Sequence, residues 1–246
     1  MIRATQTIFL VFIAAFVMAQ PEQGYLHNRI VMERVPSVGQ VGNVVSLGNM
    51  SLSTPGLVGD VYLNLDYRNA SFWLYEESKV AHGYPAKLDL QRNEFDVHMG
   101  KNGIRALSGN MVKTFVWADS VTKTPQYFVN GKEYKDEEGT PYVGFFQILS
   151  EGGITLLKMA RVNFKPADRN PTHSTGSKDN RFMKHVELYY AVGTTVKELP
   201  GKKGITKLFG ERIPETDKFI KTNEINLSKE NHLVALFDYY NSLVKK

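Results

Sequence analysis

Residues 142–162 read YVGFFQILSEGGITLLKMARV, and the fold class turns on how this stretch is parsed. On each side of Ser150-Glu151-Gly152-Gly153 lies a short run rich in aromatic, β-branched and leucine side chains. Each run is too short for an ordinary helix and is bounded by turn residues, so the pair reads as two strands of a hairpin. Paired glycines are expected at such a turn because they accept positive φ without steric cost.

Working outward, the same alternation of strand and turn recurs. DVYLNLDY (60–67) sets Val61, Leu63 and Leu65 against Tyr62, Asn64 and Asp66, SFWLYE (71–76) is an aromatic run, and PAKLDL (85–90) alternates again. MGKNG (99–103), LSGN (107–110) and the Asn-Gly of VNGKEY (129–134) are turn phrases around MVKTFVWAD (111–119). Together they predict a run of antiparallel strands from about residue 61 to 164, each sheet keeping one face wet. KHVELYYAV (184–192) and TVKELP (195–200) continue it, and a further strand is expected at Val41–Leu47.

After Pro200 the period becomes helical. KKGITKLFG (202–210) groups Ile205, Leu208 and Phe209, and PETDKFIKTN (214–223) opens with proline and acids, as a helix start does. SKENHLVALFDYYNSLVKK (228–246) carries an apolar stripe of Leu233, Leu236, Phe237, Tyr240, Leu243 and Val244, with Ser228 as the expected N-cap. Such a stripe either seals one face of the sheet or receives a partner. The predicted class is α+β: mainly an antiparallel β meander with a C-terminal helical segment.

The chain opens MIRATQTIFLVFIAAFVMAQPEQ, with Arg3, an apolar run over Ile8–Met18 and small residues before Gln20-Pro21. That is the layout of a secretory signal peptide, too short for a membrane span, with cleavage expected after Ala19. The expected organisation is a signal peptide at 1–19, an extended lead-in at 20–58, an antiparallel β domain at 59–199 and a helical segment at 200–246 packed on the sheet. No integral membrane span is expected after cleavage.

There is no cysteine, so an exported product would hold its shape by an ordinary core, which fits the periplasm or envelope of a Gram-negative bacterium. The formal net charge of +5 is spread thinly; it matches no basic arm, and nucleic acid is not an expected partner.

Three clusters invite a chemical reading. In NEFDVHM (93–99) the side chains of Glu94, Asp96 and His98 share one strand face, an arrangement open to a metal site, an acid/base pair or a solvated face. Neighbouring same-face residues on a strand lie about 7 Å apart, so three in a row cannot reach one ion without a ligand from another strand. KPADRNPTHSTGSKDNR (165–181) gathers Lys165, Arg169, His173, Lys178 and Arg181 in a long polar loop, which reads either as a disordered segment or as a contact for an anionic ligand. Aromatics at Phe72, Trp73, Tyr75, Phe115, Trp117, Phe145, Phe146, Tyr189 and Tyr190 could line a sugar platform, although adjacent ones must point to opposite faces. Nucleophile elbows, zinc-protease helices and phosphate-binding glycine loops are missing from the sequence, and no cofactor is implied.

The phrases YPAKLDLQRNEFDVHMGKNGIRAL, VKTFVWAD, YFVNGKEY, GFFQILSEGGITLLKM, YYAVG and LFDYYN resemble those of uncharacterised exported β-rich proteins of Bacteroidetes-type bacteria, over about residues 58 to 244. The resemblance implies an envelope or secreted location and a β-rich body with a helical end; it carries no catalytic residue. The expected function is a non-catalytic binding or structural role in the cell envelope, contacting a partner protein or an anionic or saccharide ligand. The alternative is an exported hydrolase or metal-dependent enzyme using the Glu94/Asp96/His98 face.

Overall fold

The computed structural model describes residues 56–76, 80–118, 124–168 and 176–244. The signal peptide, nearly all of the lead-in, the strand expected at Val41–Leu47, and Arg169 and His173 lie outside the described residues.

The strands are β1 (Leu57–Val58), β2 (Arg68–Leu74), β3 (Val80–Asp89), β4 (Glu94–His98), β5 (Ile104–Ser108), β6 (Val112–Ala118), β7 (Pro125–Asn130), β8 (Phe145–Ser150), β9 (Thr155–Lys165), β10 (Asn180–Val192) and β11 (Thr195–Glu198). They form a single sheet in the order β1-β10-β9-β8-β7-β6-β2-β3-β4-β5, with β11 also on β10. Every pairing is antiparallel except β1 with β10. The hairpin read from residues 142–162 is β8–β9, with Ile148 opposite Leu157 and Gln147 opposite Lys158.

Two features depart from a simple meander. β6 returns beside β2 rather than β5, so two runs of hairpins meet at the β2–β6 pair. The turn before β6 is fixed locally: Gly109 N donates to Asn93 O at 2.8 Å, and the buried Asn130 amide donates to Gly109 O and Val112 O at 2.9 and 2.8 Å. Asn130 therefore does not make a tight Asn-Gly hairpin; it ends β7 and staples the start of β6. DVYLNLDY is likewise no regular strand. It crosses from β10 to β3, with Leu63 N donating to Leu88 O and Leu90 N to Val61 O, and Lys184 Nζ on β10 donating to Asp60 Oδ1 and Tyr62 O.

The sheet is strongly curled. Phe95 on β4 and Phe145 on β8 stand five positions apart in the strand order, which in a flat sheet is about 24 Å. Their ring centroids are 5.4 Å apart, and Phe95 also meets Phe115 at 4.9 Å. Phe115 stacks on Phe128 at 4.4 Å and meets Trp117 edge-on at 5.1 Å. This aromatic cluster fills the concave side at one end of the sheet; Phe95 and Phe115 are wholly buried.

At the other end, β8 and the parts of β9 and β10 nearest the β8–β9 turn are covered on both faces. Leu156, Leu188 and Tyr190 lie under the helices, whereas Phe146, Leu157, Met159 and Tyr189 lie under Tyr134 and Tyr142 of the connection before β8. The expectation of one wet face fails here because that connection folds back over the convex side.

The helices are α1 (Lys202–Ile205), a 3₁₀ segment at Thr206–Arg212 kinked at Gly210, α2 (Ile213–Thr222) and α3 (Glu230–Val244). Leu233, Leu236 and Phe237 of α3 are buried against the sheet, but Val244 at the end of the expected stripe is exposed. The turn into α3 is held by Asn226, whose Oδ1 accepts from Ser228 N and whose own N donates to His232 Nδ1, rather than by Ser228 as N-cap.

A buried asparagine docks α3. Asn241 Oδ1 accepts from Ile154 N at 3.2 Å, and its Nδ2 donates to Ile154 O at 3.0 Å and to Ser150 Oγ at 3.4 Å. Ser150 Oγ in turn donates to Asp238 Oδ1 at 2.6 Å. A Cβ on Gly152 would overlap Asn241 Cγ, so the first glycine of the turn is required for helix approach, and its φ is not in the left-handed region. Asn241→Leu should lower stability by about 1–3 kcal/mol, because the backbone groups of Ile154 lose their partners inside the core. Urea unfolding should show this as a lower midpoint at unchanged m-value.

Candidate functional site

The concave face is covered by the aromatic curl at one end and by the helices at the other. Between them an open cleft of about 250 Å³ remains. Leu63 and Asn64 of the crossing segment, with Leu88 and Leu90, form one wall. Arg68 of β2, Gln126 and Phe128 of β7, Phe145 and Gln147 of β8, Lys158 and Ala160 of β9 and Val186 of β10 complete it. Register explains why these side chains meet. Phe128, Gln147, Lys158 and Leu188 pair directly across four strands, so all share the concave face, and Ala160 opposite Val186 lies two residues further along.

Two cations are held in place. The Arg68 guanidinium lies 5.7 Å from the Trp117 ring centre, and its Nη1 donates to Gln126 Oε1 at 3.4 Å. Trp117 Nε1 donates to the same oxygen at 3.1 Å. Lys158 Nζ donates to Glu230 Oε1 at 2.9 Å, which joins the cleft to the first turn of α3. Lysine on this face would be costly to bury alone; the Glu230 partner and the open cleft explain its place. A second cavity, lined by Phe72, Leu74, Ala81, Tyr84, Val97, Met99, Arg105, Ala106 and Leu107, measures about 30 Å³, room for about one water.

The Glu94/Asp96/His98 face is assembled differently from a metal site. Arg92 reaches Asp89 at 2.8 Å, Glu94 at 3.7 Å and Asp96 at 3.8 Å. Tyr62 Oη donates to Asp96 Oδ2 at 2.7 Å, and Lys87 lies 4.5 Å from the Tyr67 ring centre. His98 Nδ1 accepts from Gly100 N at 3.1 Å, and its ring meets Tyr67 edge-on. Burial opposes charge on Arg92, yet the hydrogen bond and charge of Asp89, aided by Asp96 and Glu94, hold its pKa above the ordinary value. Burial, then the hydrogen bond to Asp96, pushes Tyr62 up as well. The acids are thus engaged by this chain's own cation and hydroxyl, and no group of three His, Asp or Glu among the described residues converges to hold a metal.

The loop candidates do not gather either. Lys165 pairs with Asp168 at 3.2 Å, while Lys178 and Arg181 are exposed, and none of the three lines the cleft. The loop ends are tied by Asp168 and Ser177, whose backbone amide, with Lys165, holds the Asp168 carboxyl below its usual range. Of the aromatic candidates, Phe72, Phe115, Trp117, Phe145, Phe146 and Tyr189 belong to the core, whereas Trp73 and Tyr190 are half-buried and Tyr75 is exposed. No helix among the described residues is long and apolar enough to cross a membrane.

Comparison with protein-family models, with curated proteins and with solved structures finds no match for this chain. The cleft therefore stands on its own geometry. A sequence signal for it does exist: Gln147 and Lys158 interrupt the apolar runs FFQIL and TLLKM, and they turn out to be direct cross-strand partners.

The engaged state of the acid face has a measurable consequence. Glu94→Gln and His98→Asn should each change stability by less than about 1 kcal/mol, as solvated pairs do. Asp96→Ala should cost about 1.5–3 kcal/mol, because the Tyr62 hydroxyl loses a charged acceptor. Equilibrium urea unfolding of the three single variants would show that order.

Proposed function

We propose that this chain is an exported protein of the Gram-negative cell envelope that binds a small anionic ligand in the concave cleft without transforming it. One observation carries the reading: among the described residues the lining holds Arg68 and Lys158 beside the carboxamides of Asn64, Gln126 and Gln147, and otherwise apolar side chains. Such a lining attracts and orients an anion. The described residues of the lining supply no hydroxyl, thiol, imidazole or carboxylate for nucleophilic or acid–base work, which favours binding over hydrolysis. Export is supported by the opening apolar run and the lack of cysteine, and by the resemblance to exported β-rich proteins.

Two measurements test this. N-terminal sequencing of the product secreted across the inner membrane should begin at Gln20. Thermal unfolding at low ionic strength, with inorganic phosphate, acetate, glucuronate and glucose as probes, should show stabilisation by an anion. The stabilisation should weaken with added salt and vanish in Arg68→Gln. No stabilisation by any of the anions would contradict the reading.

A further inference from the structure

The sheet treats its two edges differently. On the outer side of β10, β1 and β11 pair with the strand, and Lys184 ties the crossing segment to it through Asp60 and Tyr62. β5 ends the strand order, and among the described residues no strand lies beyond it. Its register against β4 has no bulge, and its sequence IRALS holds neither proline nor lysine, the devices that commonly blunt an exposed edge.

Hydrogen bonds at both ends of the β4–β5 ladder show which backbone groups face outward. Met99 N donates to Gly103 O at 2.7 Å, and Gly109 N donates to Asn93 O at 2.8 Å. Antiparallel pairs alternate between bonded and open, so counting inward from either end makes Val97–Arg105 and Phe95–Leu107 the bonded pairs. The N–H and C=O groups of Ile104, Ala106 and Ser108 therefore point away from β4, and no described residue pairs with them. Three alternate residues with free donors and acceptors are a template for one more strand.

The side chains at this edge narrow what that strand carries. Arg105 is half-buried on the concave side, and Lys101 is exposed in the turn before β5. Neither has an ion-pair or hydrogen-bond partner among the described residues. A residue of an added strand directly opposite Arg105 would occupy an open pair, with Cβ atoms about 5 Å apart, so a carboxylate is matched there. On the convex side β4 presents Glu94 and Asp96, and Ile104 is 43% exposed. Acids at the alternate positions would face like charge, whereas an apolar side chain would cover Ile104. A second copy of β5 fits less well, because IRALS contains no acid to set against Arg105.

We infer that the β5 edge receives an extended acidic peptide of a partner protein as an added strand, with a carboxylate opposite Arg105 and an apolar residue opposite Ile104. No residue of β5 lines the cleft, so this surface is independent of the ligand proposed there.

Amide NMR titration of the mature chain with blocked seven-residue peptides tests the assignment. The peptides carry valine at odd positions, threonine at the others, and glutamate, glutamine or lysine at the centre. The glutamate peptide should shift the backbone amides of Ile104, Ala106 and Ser108 saturably. It should bind about threefold or more tighter than the lysine peptide, the scale of one exposed ion pair gained or opposed. Arg105→Glu should reverse that order. Methylating the peptide nitrogens that face β5 should abolish binding to the unaltered chain. Ala106→Pro, which removes an N–H that the ladder does not use, should weaken binding about tenfold or more. Equal binding of the glutamate and lysine peptides would overturn the acidic partner. Movement of the three amides with protein concentration alone would make the occupant a second copy and overturn it too. Failure of every peptide to move them would overturn the added strand itself.

Discussion

Phe95 resting on Phe145 is the contact on which the rest of the structure depends. Five strand positions separate the two residues in the sheet, yet their rings are 5.4 Å apart. That approach requires the β2–β5 run to roll over β6–β8, and it buries Phe72, Phe115, Phe128 and Trp117 in the process. Bulges where β2 meets β3 and β6 supply the local bending that the roll needs. A flat sheet with the same pairing would leave this aromatic cluster in water, at a cost of about 1.5–3 kcal/mol for each ring exposed.

The cleft is the part of the concave face that such a roll leaves uncovered. Aromatic packing closes the concave face near β4, the α3 helix closes it over β8–β10, and the crossing segment at Asp60–Leu63 is held against β10 by Lys184. In the gap the side chains change character, from phenylalanine and leucine to arginine, lysine and carboxamides. Arg68 is oriented by Trp117 and Gln126, and Lys158 by Glu230, so the charges are placed before any ligand arrives. Pre-placed charge of this kind lowers the ordering cost of binding.

Much of the fold was legible in the sequence. The hairpin around Gly152 follows from strand period, although neither Gly152 nor Gly153 takes the positive φ expected of the turn; the MGKNG turn and the apolar positions Leu233, Leu236 and Phe237 of α3 follow from turn chemistry and period, and Gly100 and Gly103 do take positive φ. Asn241 was not legible, because an asparagine one helical turn after Phe237 reads as surface until Ile154 and Ser150 are brought to it. The two-sided covering of β8 and the adjoining parts of β9 and β10 also depends on a distant loop, through Tyr134 and Tyr142. The site was the least visible part. Its residues come from six strands and a crossing segment, whereas local pattern draws attention to clusters such as Glu94/Asp96/His98 and the loop cations, whose described members are engaged nearby or exposed. Lone polar residues inside apolar strands, Gln147 and Lys158, were the more informative signal.

The central claim is that the concave cleft, and neither of those local clusters, is where this protein meets its ligand. The most direct measurement is a nitrogen–proton NMR titration of the mature chain with inorganic phosphate, acetate and glucuronate, following the side-chain amides of Asn64, Gln126 and Gln147, the indole N–H of Trp117 and the Arg68 Nε–H. The account predicts that these five signals move together in a saturable manner with at least one of these anions, while the backbone amides of residues 94–98 and 178–181 stay still. Saturable shifts confined to either of those segments, with the cleft signals unmoved, would contradict it.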